Sequence, residues 1–346
     1  MFSSFLHIDP NFIHHSHQMN VPTNDIFMRD IKIIRHPLIN DPEKKIDHFN
    51  ERIDKGTGAP IEIDHLVLHC SFEPDIENVL DRRGLSAHYV IHKDGTILQC
   101  VDESKRAYHA YPAFWDKVGG RENNMNAHSI GIEIENPTFG STTTYSDAAI
   151  NSLIPLCRSI IARHHIKPHN VIGHSDINPG GKADPGVLFP WRKLAEAGIG
   201  IFPRYTELPD DSMELPGASY EEKIRKALES IGYKTKTEVK KKDGYTEIIE
   251  IKDNLPMAWL SFMRHYMPFG VTGELPTPEQ IREYRAKNPQ KSTAEIMSDL
   301  SFNFMKEFET NTNLDPQKQV TRVSSLGLKR LQVVERAFRM SRAKMR

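Results

Sequence analysis

The sequence has few cysteines, no long apolar run and almost no net charge. Its three cysteines, Cys70, Cys100 and Cys157, are odd in number and far apart, which excludes a disulfide framework and a paired CxxC metal site. No stretch approaches the about 20 apolar residues that a membrane-spanning helix needs. A net charge of -1 excludes a uniformly basic binder of polyanions. The 346 residues are 38% hydrophobic, which is enough for at least one substantial core.

The first 59 residues mix His, Asn, Asp and Pro without sustained periodicity. The opening segment lacks a basic region, and Asp9 and Pro10 interrupt its apolar residues, so it does not predict a standard secretory signal. We therefore expect residues 1–59 to be an N-terminal extension that packs on the domain after it.

Residues 60–202 carry the pattern of one mixed α/β domain. Asp94-Gly95 is a turn dipeptide that favours a tight hairpin, and SIGIEIE at 129–135 alternates apolar and polar residues at a period of two. The predicted elements are a strand at 61–68, a hairpin of 89–91 and 97–101, a strand at 129–135, a helix that Ser146 caps, and a short strand at 170–172. We expect a mixed central β-sheet flanked by helices.

A second unit follows a linker at 203–218, which carries three prolines and four acids. Residues 219–308 predict a small all-helical module, because Ser219 with Glu222 forms a capping box before an apolar stripe at helical spacing. Two further helices are expected at 256–266 and 292–308. The lysine-rich stretch 234–244 is interpreted as a solvated hairpin or insertion.

The tail, residues 309–346, is basic. From residue 318 onward it carries nine Lys or Arg residues and one acid, Glu335, and its apolar residues Leu331, Val334 and Phe338 recur at helical spacing. This pattern predicts a basic amphipathic helix, which could lie on an anionic surface or pack on its own chain. We favour packing on its own chain, and we expect no nucleic-acid partner because no aromatic stacking platform accompanies the tail.

The motif with the clearest chemistry is GHSD at 173–176 followed by a glycine-rich loop that ends in KADPG. His174 and Asp184, at the two ends of this loop, can converge on one cation. His69 is a third candidate, at the end of the apolar strand IDHLVLH. Two imidazoles and one carboxylate leave an open fourth position, which is typical of a catalytic rather than a structural zinc site. We therefore predict one Zn²⁺ per chain.

An amide hydrolase also needs a general base and a group that stabilises the oxyanion. Glu133 lies on the polar side of the predicted strand SIGIEIE, and Lys182 lies two residues before Asp184. Taken singly, each is better explained as a solvated charge: Glu133 as a strand carboxylate and Lys182 as a surface loop lysine. Their value as candidates comes from their position beside the predicted metal ligands.

Five segments, taken together, resemble the type 2 N-acetylmuramoyl-L-alanine amidases, a zinc family that includes phage lysozyme-like amidases and peptidoglycan-recognition proteins. The segments are LVLH at 66–69, LSAHYVIHKDGTI at 85–97, RAYHA at 106–110, SIGIEIEN at 129–136 and GHSDINPGGKADPG at 173–186. The similarity runs in order over roughly residues 60–200. The ending of this domain and residues 219–308 resemble the two-domain bacterial subgroup, in which a helical peptidoglycan-binding module comes after the catalytic domain.

The resemblance implies a role for individual residues. It makes His69, His174 and Asp184 the zinc ligands, Glu133 the general base and Lys182 the oxyanion-stabilising group. Three further positions match the family's substrate cleft: His88, Arg106 and His109. A packed structural histidine explains His88 equally well.

The function that the resemblance implies is hydrolysis of the amide bond between N-acetylmuramic acid, intact or 1,6-anhydro, and L-alanine of the peptidoglycan stem peptide. The partner is then peptidoglycan or a muropeptide. The alternative is a non-catalytic peptidoglycan-binding protein on the same fold. The substrate favours the periplasm or envelope of a Gram-negative bacterium, whereas the missing signal favours the cytoplasm.

Overall fold

A mixed β-sheet forms the centre of the protein, as expected. The computed structural model describes residues 32–40, 47–116, 124–138, 144–203, 220–243, 246–267, 278–287, 289 and 325–343. The sheet has the strand order β1-β5-β4-β7-β3-β8. Its strands are β1 (Ile33–Arg35), β3 (His65–Ser71), β4 (Tyr89–Ile91), β5 (Ile97–Gln99), β7 (Ser129–Glu135) and β8 (Val171–Gly173).

The middle of the sheet is parallel. Strand β3 pairs in parallel with β7 on one side and β8 on the other, in a register that sets His69 opposite Glu133. Strand β7 spans the predicted SIGIEIE, but β3 starts later than expected and continues past His69. The reason is that Ile61 donates its backbone N–H to the carbonyl of Arg52, so the residues before β3 form a loop against the N-terminal segment.

The predicted hairpin joins β4 and β5 in antiparallel pairing. Gly95 adopts a positive φ of 89° in the turn, a conformation that glycine reaches without steric cost. The carbonyls of Lys93 and Gly95 accept hydrogen bonds from Ser146 and Ser152, so the turn is held by the helix that Ser146 caps and that contains Ser152.

Helix α3 (Asp147–His164) covers one face of the sheet. Ser146 is its N-cap, as predicted, and accepts a hydrogen bond from the N–H of Ala149. The shorter helices up to residue 203 are α1 (Ile76–Arg83), α2 (Met125–His128), α4 (His174–Ile177) and α5 (Trp191–Glu196). Helix α1 was not predicted, although Ile76, Val79 and Leu80 repeat at helical spacing and Gly84 ends the helix with a positive φ.

The N-terminal extension contributes regular structure that the sequence did not predict. Strand β1 adds to the edge of the sheet in parallel with β5. Strand β2 (Phe49–Glu51) pairs antiparallel with β6 (Lys105–Ala107). Strands of three residues are too short to show a period in the sequence, but the described part of the extension does pack on the domain after it.

The C-terminal region is helical but contains a β-hairpin. Its elements are α6 (Tyr220–Ile231), β9 (Lys236–Asp243), β10 (Thr246–Asp253), α7 (Leu255–Tyr266), α8 (Pro278–Lys287) and α9 (Ser325–Ala343). The first strand of this hairpin lies in the lysine-rich stretch 234–244 that we interpreted as a hairpin or insertion, and the second strand lies beyond it. The helix expected at 292–308, and all of the expected linker after residue 203, lie outside the described residues.

The two faces of the sheet pack against different parts of the chain. Leu66, Leu68 and the isoleucines of β7 share one core with α3. Val67 and Ile172, which point to the other face, share a core with α6, α7 and α9. Helix α9 contributes three buried apolar residues, Leu331, Val334 and Phe338, which confirms that the described part of the basic tail packs on its own chain. Within the described part of the chain, no helix combines the length and the apolar character needed to cross a membrane.

Candidate metal centre

His69, His174 and Asp184 meet at the C-terminal ends of β3 and β8. The two imidazole Nδ1 atoms lie 2.9 Å apart, and Asp184 Oδ2 lies 3.0 Å from His174 Nδ1 and 3.4 Å from His69 Nδ1. All three side chains are buried, and their ligand atoms form a group that could hold a metal ion. The structure therefore brings together the three residues that the sequence predicted as ligands.

The loop between His174 and Asp184 is closed by local contacts. Ser175 donates its backbone N–H to the carbonyl of Asp184 at 2.8 Å, and the hydroxyl of Tyr145 donates to the carbonyl of Pro185 at 2.6 Å. Gly173 has no room for a side chain, because an added Cβ would lie 2.8 Å from Pro185 Cδ. The glycine and proline of the motif thus allow the two ligands to approach each other.

Burial and neighbouring groups shift the pKa values of His69 and Asp184 in the cluster. Burial lowers the pKa of His69 to about 4, with the neighbouring His174 acting in the same direction. Burial alone would raise the pKa of Asp184, but His174 and His69 outweigh it and hold that pKa well below its usual range. A neutral imidazole at His69 and a carboxylate at Asp184 are the forms that ligate a divalent cation.

Glu133 and Lys182 lie in the wall of a cavity of about 490 Å³ that opens over the cluster. Glu133 projects from β7 on the same side of the sheet as His69, its register partner. Burial raises the pKa of Glu133 to about 8; Asp184 adds to this rise and Lys182 opposes it. Lys182 is exposed on the loop before Asp184. Both predicted helpers therefore face the space above the ligands.

One side of this cavity is an apolar wall from helix α1. Ile76, Val79 and Leu80 line it, with Phe72 and Tyr111 nearby at the exposed mouth. These residues were missed because residues 72–84 were not predicted to be helical. Their i, i+3, i+4 spacing is the signal that could have identified them.

His109 also lines the cavity, and it contacts the cluster directly. Its Nδ1 lies 2.9 Å from His69 Nε2, and its backbone N–H donates to the side chain of Asn126. Gly131 leaves space for the ring, since a Cβ there would lie 2.5 Å from His109 Cγ. His109 thus holds the ring nitrogen of His69 that faces away from the other two ligands, in the manner of an outer-shell partner. The sequence did not identify Asn126.

His88 and Arg106 occupy different environments. His88 is fully buried and is absent from the cavity wall: its Nδ1 accepts from the N–H of Gly131 and its Nε2 lies 3.0 Å from Arg52. This placement favours the structural explanation of His88. Arg106 does line the cavity, and its Nε is buried without a hydrogen-bond partner among the described residues.

Arg52, from the N-terminal extension, lies beneath the centre and was not predicted. Its buried guanidinium donates to four backbone carbonyls as well as contacting His88. The four carbonyls belong to Lys105, Asn126, Ala127 and Ser129. Arg52 therefore ties the segments that carry His109 and Asn126 to the start of β7.

Comparison with known proteins agrees with this geometry. A family model described as N-acetylmuramoyl-L-alanine amidase matches residues 58–187. The chain is 38% identical over 154 residues to N-acetylmuramoyl-L-alanine amidase AmiD of Escherichia coli, which covers 40% of this chain and 54% of that protein. A solved complex of E. coli AmiD aligns with a TM-score of 0.47 at 30% identity, covering 62% of this chain and 84% of that one.

The chain is 40% identical over 110 residues to the 1,6-anhydro-N-acetylmuramyl-L-alanine amidase AmpD of Enterobacter cloacae, and this match covers 32% of this chain. The chain spans about half the length of these first curated relatives, 54% of AmiD and 55% of AmpD. It covers 97% of AmpD of Haemophilus influenzae at 30% identity over 190 residues, which are 48% of this chain. With that coverage, and with the family model matched over the metal centre, the chain belongs to the N-acetylmuramoyl-L-alanine amidase family.

Proposed function

We propose that the protein is a zinc-dependent amidase that hydrolyses the bond between N-acetylmuramic acid and the L-alanine of the peptidoglycan stem peptide. The observation that carries this proposal is the buried cluster of His69, His174 and Asp184, of which His174 and Asp184 line an open cavity with Glu133 and Lys182. The substrate could be a peptide linked to intact or to 1,6-anhydro muramic acid, and the names of the AmpD relatives favour the anhydro form.

The donor set fits zinc. Two imidazoles and one carboxylate, each already turned toward the other two, are the ligands expected of a catalytic site with an open position. When bound, zinc would supply Lewis acidity at the scissile carbonyl and make an attacking water more acidic. Family membership supports the same metal.

The protein residues would then move the protons and hold the developing charge. Glu133 would take a proton from the attacking water and pass it to the leaving amine of L-alanine; its raised pKa suits a group that must both accept and donate near neutral pH. Lys182 would stabilise the negative charge that develops on the carbonyl oxygen when water adds to the carbonyl carbon, before the bond to nitrogen breaks. His109 would keep His69 in position.

Removal of the metal tests this proposal. Purified full-length protein should contain about one zinc per chain, and dialysis against a chelator should abolish release of stem peptide from a muropeptide until zinc is restored. Mass spectrometry of the products should show cleavage at the muramoyl–L-alanine bond. Full turnover in metal-free protein would contradict the mechanism, and muropeptide binding without any product would establish the non-catalytic alternative.

Two expectations from the sequence remain predictions. The family model ends at residue 187, so the peptidoglycan-binding role of residues 219–308 and the limits of that unit have no support from it. The AmiD and AmpD relatives come from Gram-negative bacteria, and we infer action on peptidoglycan in such a cell. Whether the protein is in the envelope or the cytoplasm would be measured by cell fractionation.

A further inference from the structure

Asp176 lies two residues after His174 and is completely buried. Its Oδ2 accepts a hydrogen bond of 2.8 Å from the N–H of Gly173, the residue directly before His174. This bond joins the third residue of α4 to its N-cap, which fixes the backbone where His174 leaves β8. The side chain of Asp176 therefore determines how the ligand His174 is presented to the cluster.

The other hydrogen bonds of Asp176 come from the C-terminal helices. The hydroxyl of Tyr233, just after α6, donates to Oδ1 at 2.6 Å, and the Nδ1 of His265, on α7, lies 2.7 Å from Oδ2. Both side chains are buried. Buried polar groups that satisfy one another in this way fix a single arrangement, because breaking one bond leaves its partner without water to replace it.

The position of His265 is itself restricted. Its ring is stacked between Trp191, with centroids 3.7 Å apart, and Tyr266, at 3.9 Å. Near the start of α7, Met257 lies against the loop that carries Lys182 and Asp184, since a Cβ on Gly180 would lie 2.8 Å from Met257 Cγ. One C-terminal helix thus contacts both segments that supply ligands.

We propose that Asp176, Tyr233 and His265 are positioning residues, through which the C-terminal helices fix the geometry of the metal centre. The inference rests on the proposed zinc site and deepens it. Tyr233 and His265 lie beyond residue 187, where the family model ends. The C-terminal region therefore completes the catalytic unit, whatever further binding role it has.

The test is Tyr233→Phe in the full-length protein. This change removes one hydroxyl and keeps the ring, which packs edge-on against Trp115. Zinc affinity, measured by competition with a chromogenic chelator, should fall about 10-fold, the lower end of the range for loss of an outer-shell partner. The visible absorption of the Co²⁺-substituted protein should also change, because that spectrum reports the arrangement of the ligands.

Phe262→Leu is the matched control. Phe262 is fully buried on the same helix as His265, and its replacement loosens packing without removing a hydrogen bond to Asp176. It should lower the melting temperature while leaving zinc affinity and the Co²⁺ spectrum as in the wild type. The inference is overturned if Tyr233→Phe binds zinc like the wild type, or if both variants lose the same affinity. A wild-type protein that binds no zinc would instead refute the proposed function, and this inference with it.

Discussion

At the scale of single residues, position rather than type separates the carboxyl groups of this protein. Glu133 and Glu135 are on the same strand and point to the same side. Glu135 accepts a hydrogen bond of 2.8 Å from the N–H of Lys93 and lies 3.4 Å from His92. Glu133 faces the cavity, and burial raises its pKa to about 8. Although they are only two residues apart on β7, Glu135 is therefore a structural carboxyl and Glu133 is a candidate base.

Glu133→Gln should lower turnover about 10²- to 10⁴-fold, because the amide cannot accept the proton of the attacking water. Zinc content should not change, since Glu133 is outside the ligand cluster. Steady-state hydrolysis of a defined muropeptide, with metal analysis of the same sample, measures both. Glu135→Gln is the control and should keep its turnover. If the two variants turn over equally fast, a group other than Glu133 is the base.

Arg52 is the second residue whose role depends on position. Burial, with Arg106 acting in the same direction, lowers the pKa of its guanidinium to about 10. Arg52→Met should destabilise the fold by about 3 kcal/mol or more, because four buried carbonyls lose a charged donor. Urea unfolding measures this loss. Arg82→Met, at a side chain that is 63% exposed, should stay within about 0.5 kcal/mol; similar losses in the two variants would contradict the role of Arg52.

At the scale of secondary-structure elements, a half-buried carboxyl joins the end of α3 to the sheet. Glu103 accepts hydrogen bonds from Tyr89 on β4 and from Arg163 near the end of α3, and His164 Nε2 lies 2.6 Å from it. Burial opposes ionisation, yet these partners lower the pKa of Glu103 from 4.5 to about 2. The ionised form therefore stabilises the folded state at neutral pH.

This shift predicts a pH dependence of stability. The contribution of Glu103 should be complete above about pH 4.5 and lost as the pH falls through about 2, since protonation is easier in the unfolded chain. At pH 6, Glu103→Gln should be less stable than the wild type by up to about 3 kcal/mol. Urea unfolding at several pH values should show this difference shrinking toward pH 2; a constant difference would contradict the assignment.

Local patterns predicted the elements better than they predicted the contacts between them. SIGIEIE and Asp94-Gly95 identify β7 and the β4–β5 turn because a period of two and a turn dipeptide are contained in a few residues. Two of the predicted ligands, His174 and Asp184, could be identified because their motif is compact around residues 173–186, and His69 because it lies near the end of an apolar strand. Arg52 and Asp176 could not, since their partners lie up to 89 residues away and no local spacing records them.

At the scale of the whole molecule, the charge balance has a structural explanation. The basic helix α9 inserts Arg330, fully buried, to donate to the carbonyls of Tyr266 and Pro203. Near its other end, Arg342 bonds the carboxyl of Asp116 at 2.7 Å. Two arginines of the tail therefore bind acceptors in the rest of the chain.

Phe338→Ala should destabilise the whole protein by about 3–5 kcal/mol, because Phe338 is buried in the core that the sheet shares with the C-terminal helices. Unfolding followed by tryptophan fluorescence and by circular dichroism should shift together. Met340→Ala, on the same helix but 54% exposed, should have an effect within about 0.5 kcal/mol. An unchanged unfolding curve for Phe338→Ala would mean that α9 is not part of this core.

The second core also limits where the chain can be cut. A fragment trimmed to the family match at 58–187 would lose Arg52 and every C-terminal helix. It would expose Val67, Ile172 and Ile177 to water as one contiguous apolar surface, and such surfaces favour aggregation. Chimeras with other amidases should therefore exchange the sheet and its C-terminal helices as a single piece, since solubility depends on keeping them together.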